Sequence, residues 1–176
     1  PRVRRQRQMC IRDRYGAKNN DDAVRFTSSS GGMFTLFAEE ILKQGGVVVG
    51  AALDEQLAVH HVLVDSIADL PKLRGSKYVQ SKIGKIYSEV RQILRAGRKV
   101  LFSGTPCQIA GLKKYLVKPS ENLLTVDVVC HGVPSPKVYQ KHLRELAQEA
   151  GEPVVQVKFR DKAKGWKQGE TLFYTE

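Results

Sequence analysis

The stretch Lys99-Val100-Leu101-Phe102-Ser103-Gly104-Thr105-Pro106-Cys107-Gln108, continuing as Ile109 to Leu116, decides the fold class. Its first five residues are a short apolar run with β-forming side chains, the pattern of a strand. Gly104 to Gln108 turn the chain, and Pro106 stands where the first turn of a helix tolerates a missing N–H. Ile109 to Leu116 then reads as that helix. A further apolar run, Leu123 to Val129, reads as a buried strand. Strand, helix and strand in succession favour an α/β fold with a largely parallel or mixed sheet and flanking helices.

The pattern extends in both directions. Upstream, Met33, Phe34, Phe37, Ala38, Ile41 and Leu42 recur at the helical period, and Gly45-Gly46 stops the helix. Val47 to Leu53 reads as a buried strand, and Val59 to Val64 as a second joined to it through Asp54-Glu55, with His60 and His61 on its two faces. A short helix is expected over Ser66–Leu73, a polar loop over Arg74–Lys82, and a helix from Ile83 to Gly97. Downstream, Val138, Leu143, Leu146 and Ala147 mark a helix ending near Gly151, followed by a strand over Val154–Phe159. Leu172-Phe173-Tyr174 starts another strand that stops at Glu176, so a C-terminal part is expected to be missing.

The chain has 176 residues and a net charge of +11, and 41% of its residues are apolar, enough to build a core. Five of those positive charges sit in residues 1–14, PRVRRQRQMCIRDR, which carry six arginines against Asp13. This segment has three readings: a disordered basic tail, an arm for phosphates, or a sequencing adapter. Gln8 to Asp13 is what CAG-ATG-TGT-ATA-AGA-GAC encodes, which resembles a transposase adapter. The adapter reading is preferred, and residues 1–14 are set apart from the fold together with Cys10. The remaining +6 is interleaved with acids, as in Asp161-Lys162 and Arg144-Glu145, so no nucleic-acid partner is expected. No apolar run approaches the roughly 18–20 residues of a transmembrane segment. No secretory signal is present, and three widely spaced cysteines suit a reducing compartment, so the expected location is cytoplasmic.

In an open α/β sheet, ligands gather beyond the carboxyl ends of the strands. Two loops stand there, Gly104–Gln108 and Cys130–Pro136, each bringing one cysteine. Cys107 falls at a helix start, where the dipole and free amides favour a thiolate. Such a thiolate could attack a substrate or ligate iron, and either cysteine alone is equally at home in a core. His131 could act as general base for Cys107, which would make a cysteine-dependent transferase or hydrolase. Ser28-Ser29-Ser30-Gly31-Gly32 before a helix is a possible phosphate cradle, or ordinary capping. Gly75-Ser76-Lys77-Tyr78 adds a cation, a ring and a hydroxyl in one polar loop. Trp166 is a candidate to stack on a flavin, face a partner or anchor a loop.

Five blocks in this order, SSSGGMF (Ser28–Phe34), LRGSKYVQS (Leu73–Ser81), KVLFSGTPCQIAGLK (Lys99–Lys113), DVVCHGVPSP (Asp127–Pro136) and FRDKAKGW (Phe159–Trp166), resemble the beta-subunit family of coenzyme F-420 hydrogenases and dehydrogenases. The resemblance implies a flavin-dependent, iron–sulfur-linked oxidoreductase. It would move electrons or hydride between FAD, a 4Fe-4S cluster and a small-molecule donor or acceptor such as a deazaflavin. It also implies a redox partner protein or ferredoxin-like segment. On it, Ser28, Ser29, Ser30, Gly31, Gly32, Gly75, Ser76, Lys77, Tyr78, Gly104 and Thr105 would contact FAD. Lys77 would stabilise the reduced flavin, with Lys77 and His131 as the catalytic candidates. Cys107 and Cys130 would give two of four cluster thiolates, the other two lying outside this sequence. Residues 21–176 would then form a partial beta-subunit catalytic domain of the C-terminal type.

Overall fold

A computed structural model of the chain describes residues 15–162, Gly165 and residues 170–175. Trp166 and residues 1–14 lie outside them. In chain order come α1 (Asp22–Thr27), α2 (Met33–Lys43), β1 (Val47–Leu53), β2 (Val59–Val64) and a 3-10 helix (Ile67–Leu73). There follow α3 (Ile86–Arg95), β3 (Val100–Gly104), α4 (Pro106–Leu116), β4 (Leu123–Asp127), α5 (Pro136–Ala150), β5 (Val154–Asp161) and β6 (Glu170–Thr175).

Strands β2, β1, β3 and β4 lie side by side in that order. The β1–β2 pair is antiparallel, whereas β1–β3 and β3–β4 are parallel, with Val47 opposite Val100 and Val100 opposite Leu123. The sheet is therefore mixed. Successive side chains of a strand point to opposite faces, and the core divides accordingly. Val48 and Leu101 pack with Ala38, Leu42, Leu70 and Leu73 under α2 and the 3-10 helix. Val47, Val49, Val100 and Phe102 pack with Ile86, Val90, Ile109 and Leu112 under α3 and α4. Helices thus cover both faces, which is why the central strands are apolar almost without interruption.

Strands β5 and β6 form a separate antiparallel hairpin with irregular register. A third apolar cluster, with Leu57, Val59, Val79, Tyr139, Leu143, Val157 and Phe159, joins this hairpin and α5 to the start of β2.

Two expectations shift. Strand β4 is partly exposed along its length, with Leu124 at 42%, because it closes the four-stranded sheet on one side. It also ends at Asp127, so Val128 and Val129 project from the sheet as exposed loop residues. Helix α3 begins at Ile86, not Ile83, because Gly84 takes a left-handed φ of 56°.

The turn from α2 into β1 admits only glycine at position 46. A Cβ there would lie 2.6 Å from Ile41 Cγ2 and 2.7 Å from the Lys99 carbonyl oxygen. Gly46→Ala is expected to lower stability by about 1–3 kcal/mol, the usual cost of overpacking a tight site. Urea unfolding reads this directly, and an unchanged midpoint would show that the turn has slack.

Candidate functional site

Hydrogen bonds tie the motif-bearing loops to one another. The Ser76 N–H donates to Ser29 Oγ at 2.6 Å, joining the loop before α2 to the loop after the 3-10 helix. The Gln80 N–H donates to the Pro134 carbonyl at 3.1 Å, joining the latter loop to the Cys130–Pro136 segment. Gln108 Nε2 donates to the Ser81 carbonyl at 3.4 Å, bringing in the start of α4. From the hairpin, Lys162 Nζ donates to the Ser28 carbonyl, and Phe159 meets the Tyr78 ring edge-on at 6.2 Å. All five sequence blocks meet through these contacts.

The Ser28–Gly32 turn is built differently from simple serine capping. Ser28 Oγ donates to the Val24 carbonyl at the end of α1 (2.7 Å), and Ser29 Oγ is engaged by Ser76. Ser30 is exposed. Gly31 accepts from the Asn19 N–H at 2.7 Å, and a Cβ on Gly31 would lie 2.7 Å from the Ala17 carbonyl oxygen. Gly32 is the N-cap of α2, left-handed at φ 76°, and no side chain caps that helix. The first amides of α2 therefore lack a side-chain acceptor, the condition in which a helix start accepts an anion. Arg74 lies against the same turn, its Nε donating to Thr35 Oγ1 at 3.2 Å.

Gly75 is exposed and left-handed at φ 78°, and Tyr78 is 46% exposed. Lys77 Nζ donates to the carbonyls of Arg74 (2.9 Å) and Lys72 (3.1 Å), so its ammonium is held by its own loop. Burial pulls its pKa down from 10.5 to about 8. Lys162, which sequence reasoning gave no role, is also lowered, by burial and then by the Arg160 charge. Its signal was the basic FRDK run.

At the sheet edge Gly104 pairs with Asp127, and the Val128 N–H donates to the Gly104 carbonyl at 3.1 Å. Cys107 and Cys130 each follow three residues after that register pair, at the carboxyl ends of adjacent parallel strands. Cys107 is exposed, with Thr105 Oγ1 3.1 Å from its sulfur, and Cys130 is half-buried. Gln108 Oε1 accepts from the Thr105 N–H at 3.0 Å, one arm of a capping box. His131 is exposed, and no hydrogen bond joins it to Cys107 among the described residues. Among the described residues, no group of three or more His, Cys, Asp or Glu is placed to hold a metal ion.

An open concavity of about 590 Å³ lies instead beside the β1–β2 hairpin, lined by Asp54, Glu55, His60, Asp65, Asp69 and Lys72 among others. None of the expected site residues lines it. Lys72 and Asp69 already pair there at 2.6 Å.

Residues 14–87 match the family model of the coenzyme F420 hydrogenase/dehydrogenase beta subunit N-terminal region, and residues 97–175 match that of its C terminus. No curated protein matches the chain. A solved chain of the F420-reducing NiFe hydrogenase complex from Methanosarcina barkeri is similar in fold, with TM-score 0.58 and 20% identity. The match covers 89% of this chain and 58% of that one.

The lowered pKa of Lys77 has a signed consequence. The unfolded lysine, near 10.5, binds more protons than the folded one between pH 8 and 10.5. Stability should therefore rise with pH from 8 toward 9.5, relative to Lys77→Met, which has no ammonium to bury. Urea midpoints of both proteins across that range test it, and parallel curves would contradict it.

Proposed function

Because the chain belongs to the coenzyme F420 hydrogenase/dehydrogenase beta-subunit family, a family of oxidoreductase subunits, we propose that it forms part of the FAD-binding core of such an enzyme. Flavin chemistry supplies hydride or two-electron exchange, and an iron–sulfur cluster supplies single electrons. The observation that carries the reading is the Ser76–Ser29 hydrogen bond, which sets a cationic loop beside the uncapped start of α2. A helix start supplies amides for a pyrophosphate, and a cationic loop alongside adds attraction for its charge.

In this reading Gly31, Gly32 and the α2 amides hold the pyrophosphate, with Ser30 and Arg74 at its margin. Gly75, Ser76 and Tyr78 would lie along the rest of the cofactor, with Gly104 and Thr105 toward its ring. Lys77 keeps positive charge beside it, where it favours an anionic reduced form electrostatically. That charge weakens as pH passes about 8. His131 is retained only as a candidate proton donor at the exposed sheet edge.

The fit to a 4Fe-4S cluster is half complete. Cys107 and Cys130 offer two thiolates from matched positions, and such a cluster takes four. Among the described residues, no group of three or more His, Cys, Asp or Glu completes such a site. We propose Cys107 and Cys130 as two of its ligands, the others coming from outside the described residues. A redox partner protein or ferredoxin-like segment, and a small-molecule acceptor such as a deazaflavin, complete the proposal. No described helix is long and apolar enough to cross a membrane.

Anaerobic purification of the protein encoded by the complete locus tests both parts. The expected product is yellow-brown, with flavin absorbance and about four irons per site. Cys107→Ser and Cys130→Ser should each lose most of the iron and retain the flavin. A colourless, iron-free protein would overturn the redox reading, and flavin without iron would overturn the ligand assignment alone.

A further inference from the structure

We propose that His61 is a positioning residue that fixes the loop ending at Ser81 and the Thr105–Gln108 turn relative to each other. The sequence placed His61 on a strand face with no further role, and the site as described above does not use it. It rests on the preceding reading only in taking these two segments as parts of one site.

The argument begins where the sheet opens. The β1–β3 register runs from Val47↔Val100 to Val49↔Phe102. One residue further along β3, the Ser103 carbonyl is bonded by a side chain from β2. His61 stands opposite Ala51 of β1, and the small alanine leaves room for the imidazole to reach β3. There His61 Nε2 lies 3.1 Å from the Ser103 carbonyl oxygen, and Nδ1 lies 2.6 Å from Ser81 Oγ. The ring stacks on Phe102 with centroids 5.3 Å apart and planes 14° apart. Only 5% of the residue is exposed.

These contacts define the tautomer. A carbonyl only accepts, so Nε2 carries the hydrogen, and Nδ1 accepts from the Ser81 hydroxyl. Burial lowers the His61 pKa, which keeps the ring in this neutral form. The Ser81 carbonyl in turn accepts from Gln108 Nε2, while Gln108 Oε1 holds the Thr105 N–H. Backbone bonds run alongside: the His61 N–H donates to the Lys82 carbonyl, and the Lys82 N–H to the Val59 carbonyl. A single ring thus ties β2, the cationic loop and the turn bearing Cys107 into one hydrogen-bonded unit. The links of the ring itself measure 2.6 and 3.1 Å, and the Gln108–Ser81 link that extends them is longer, at 3.4 Å.

Amide hydrogen exchange on the cofactor-free chain tests the proposal without relying on bound flavin. His61→Phe keeps a ring to stack on Phe102 and removes both hydrogen bonds. Exchange in peptides covering residues 78–82 and 103–108 should accelerate about tenfold, with α5 and β5 unchanged. Ser81→Ala, a milder change, should accelerate the same two segments, and adding it to His61→Phe should bring no further change. His61→Gln keeps one donor and one acceptor and should recover most of the protection. Faster exchange throughout the chain, including α5, would mean that His61 only stabilises the fold and would overturn the proposal. So would additive effects of the two substitutions, or unchanged exchange in either segment. Where flavin binds, its Kd should rise by a similar factor in His61→Phe and return in His61→Gln. A chain that never binds flavin would defeat the functional reading and leave the exchange result to decide the role of His61.

Discussion

Everything at the site depends on the parallel pairing of β1, β3 and β4. Parallel strands start and stop at the same sheet edge, so the loops that follow them are delivered together. The register Gly104↔Asp127 is what places Cys107 and Cys130 at matched positions beyond one sheet edge although many residues separate them in the chain. The pairing is held by burial. Val47 to Val49 and Val100 to Phe102 are fully shielded, and their alternation sends side chains into helical layers above and below. A slip of one residue in β3 would exchange Leu101 with Phe102 between those layers and misplace the turn at Gly104.

Much of this was legible from residue pattern. Pro106 after an apolar run marked the start of α4, and Gly45-Gly46 marked the end of α2, since both residue types restrict the backbone locally. What escaped was decided by tertiary surroundings. The apolar composition of Leu123–Val129 reads as burial, but composition does not reveal that a strand lies at the side of its sheet. Helix α1 has six residues, too few to show a helical period, and none of them is buried; its one local sign is Asp21, whose carboxylate accepts from the Val24 N–H. The β5 and β6 segments were recognisable as strands, but a period of two does not say which sheet a strand joins.

The site shows the same division. Serine and glycine before a helix read equally as a cradle or a cap, and in the structure Gly32 stands at the N-cap of α2, which has no side-chain cap. That Ser29 would accept from Ser76, 47 residues away, was not readable from either segment. Nor was the grip of Lys77 on its own loop carbonyls, which leaves it a charge held in place and not a free arm.

The contact between Lys162 and Ser28 spans 134 positions of the chain. Synthesis is vectorial, and a contact of that range waits for its later partner. The turn before α2 is made early, but it lacks its contact with Lys162 until β5 has emerged and folded back. During translation, the β1–β3–β4 sheet can therefore form before that contact is made. The turn before α2 therefore reaches its final set of contacts only after most of the chain has been made.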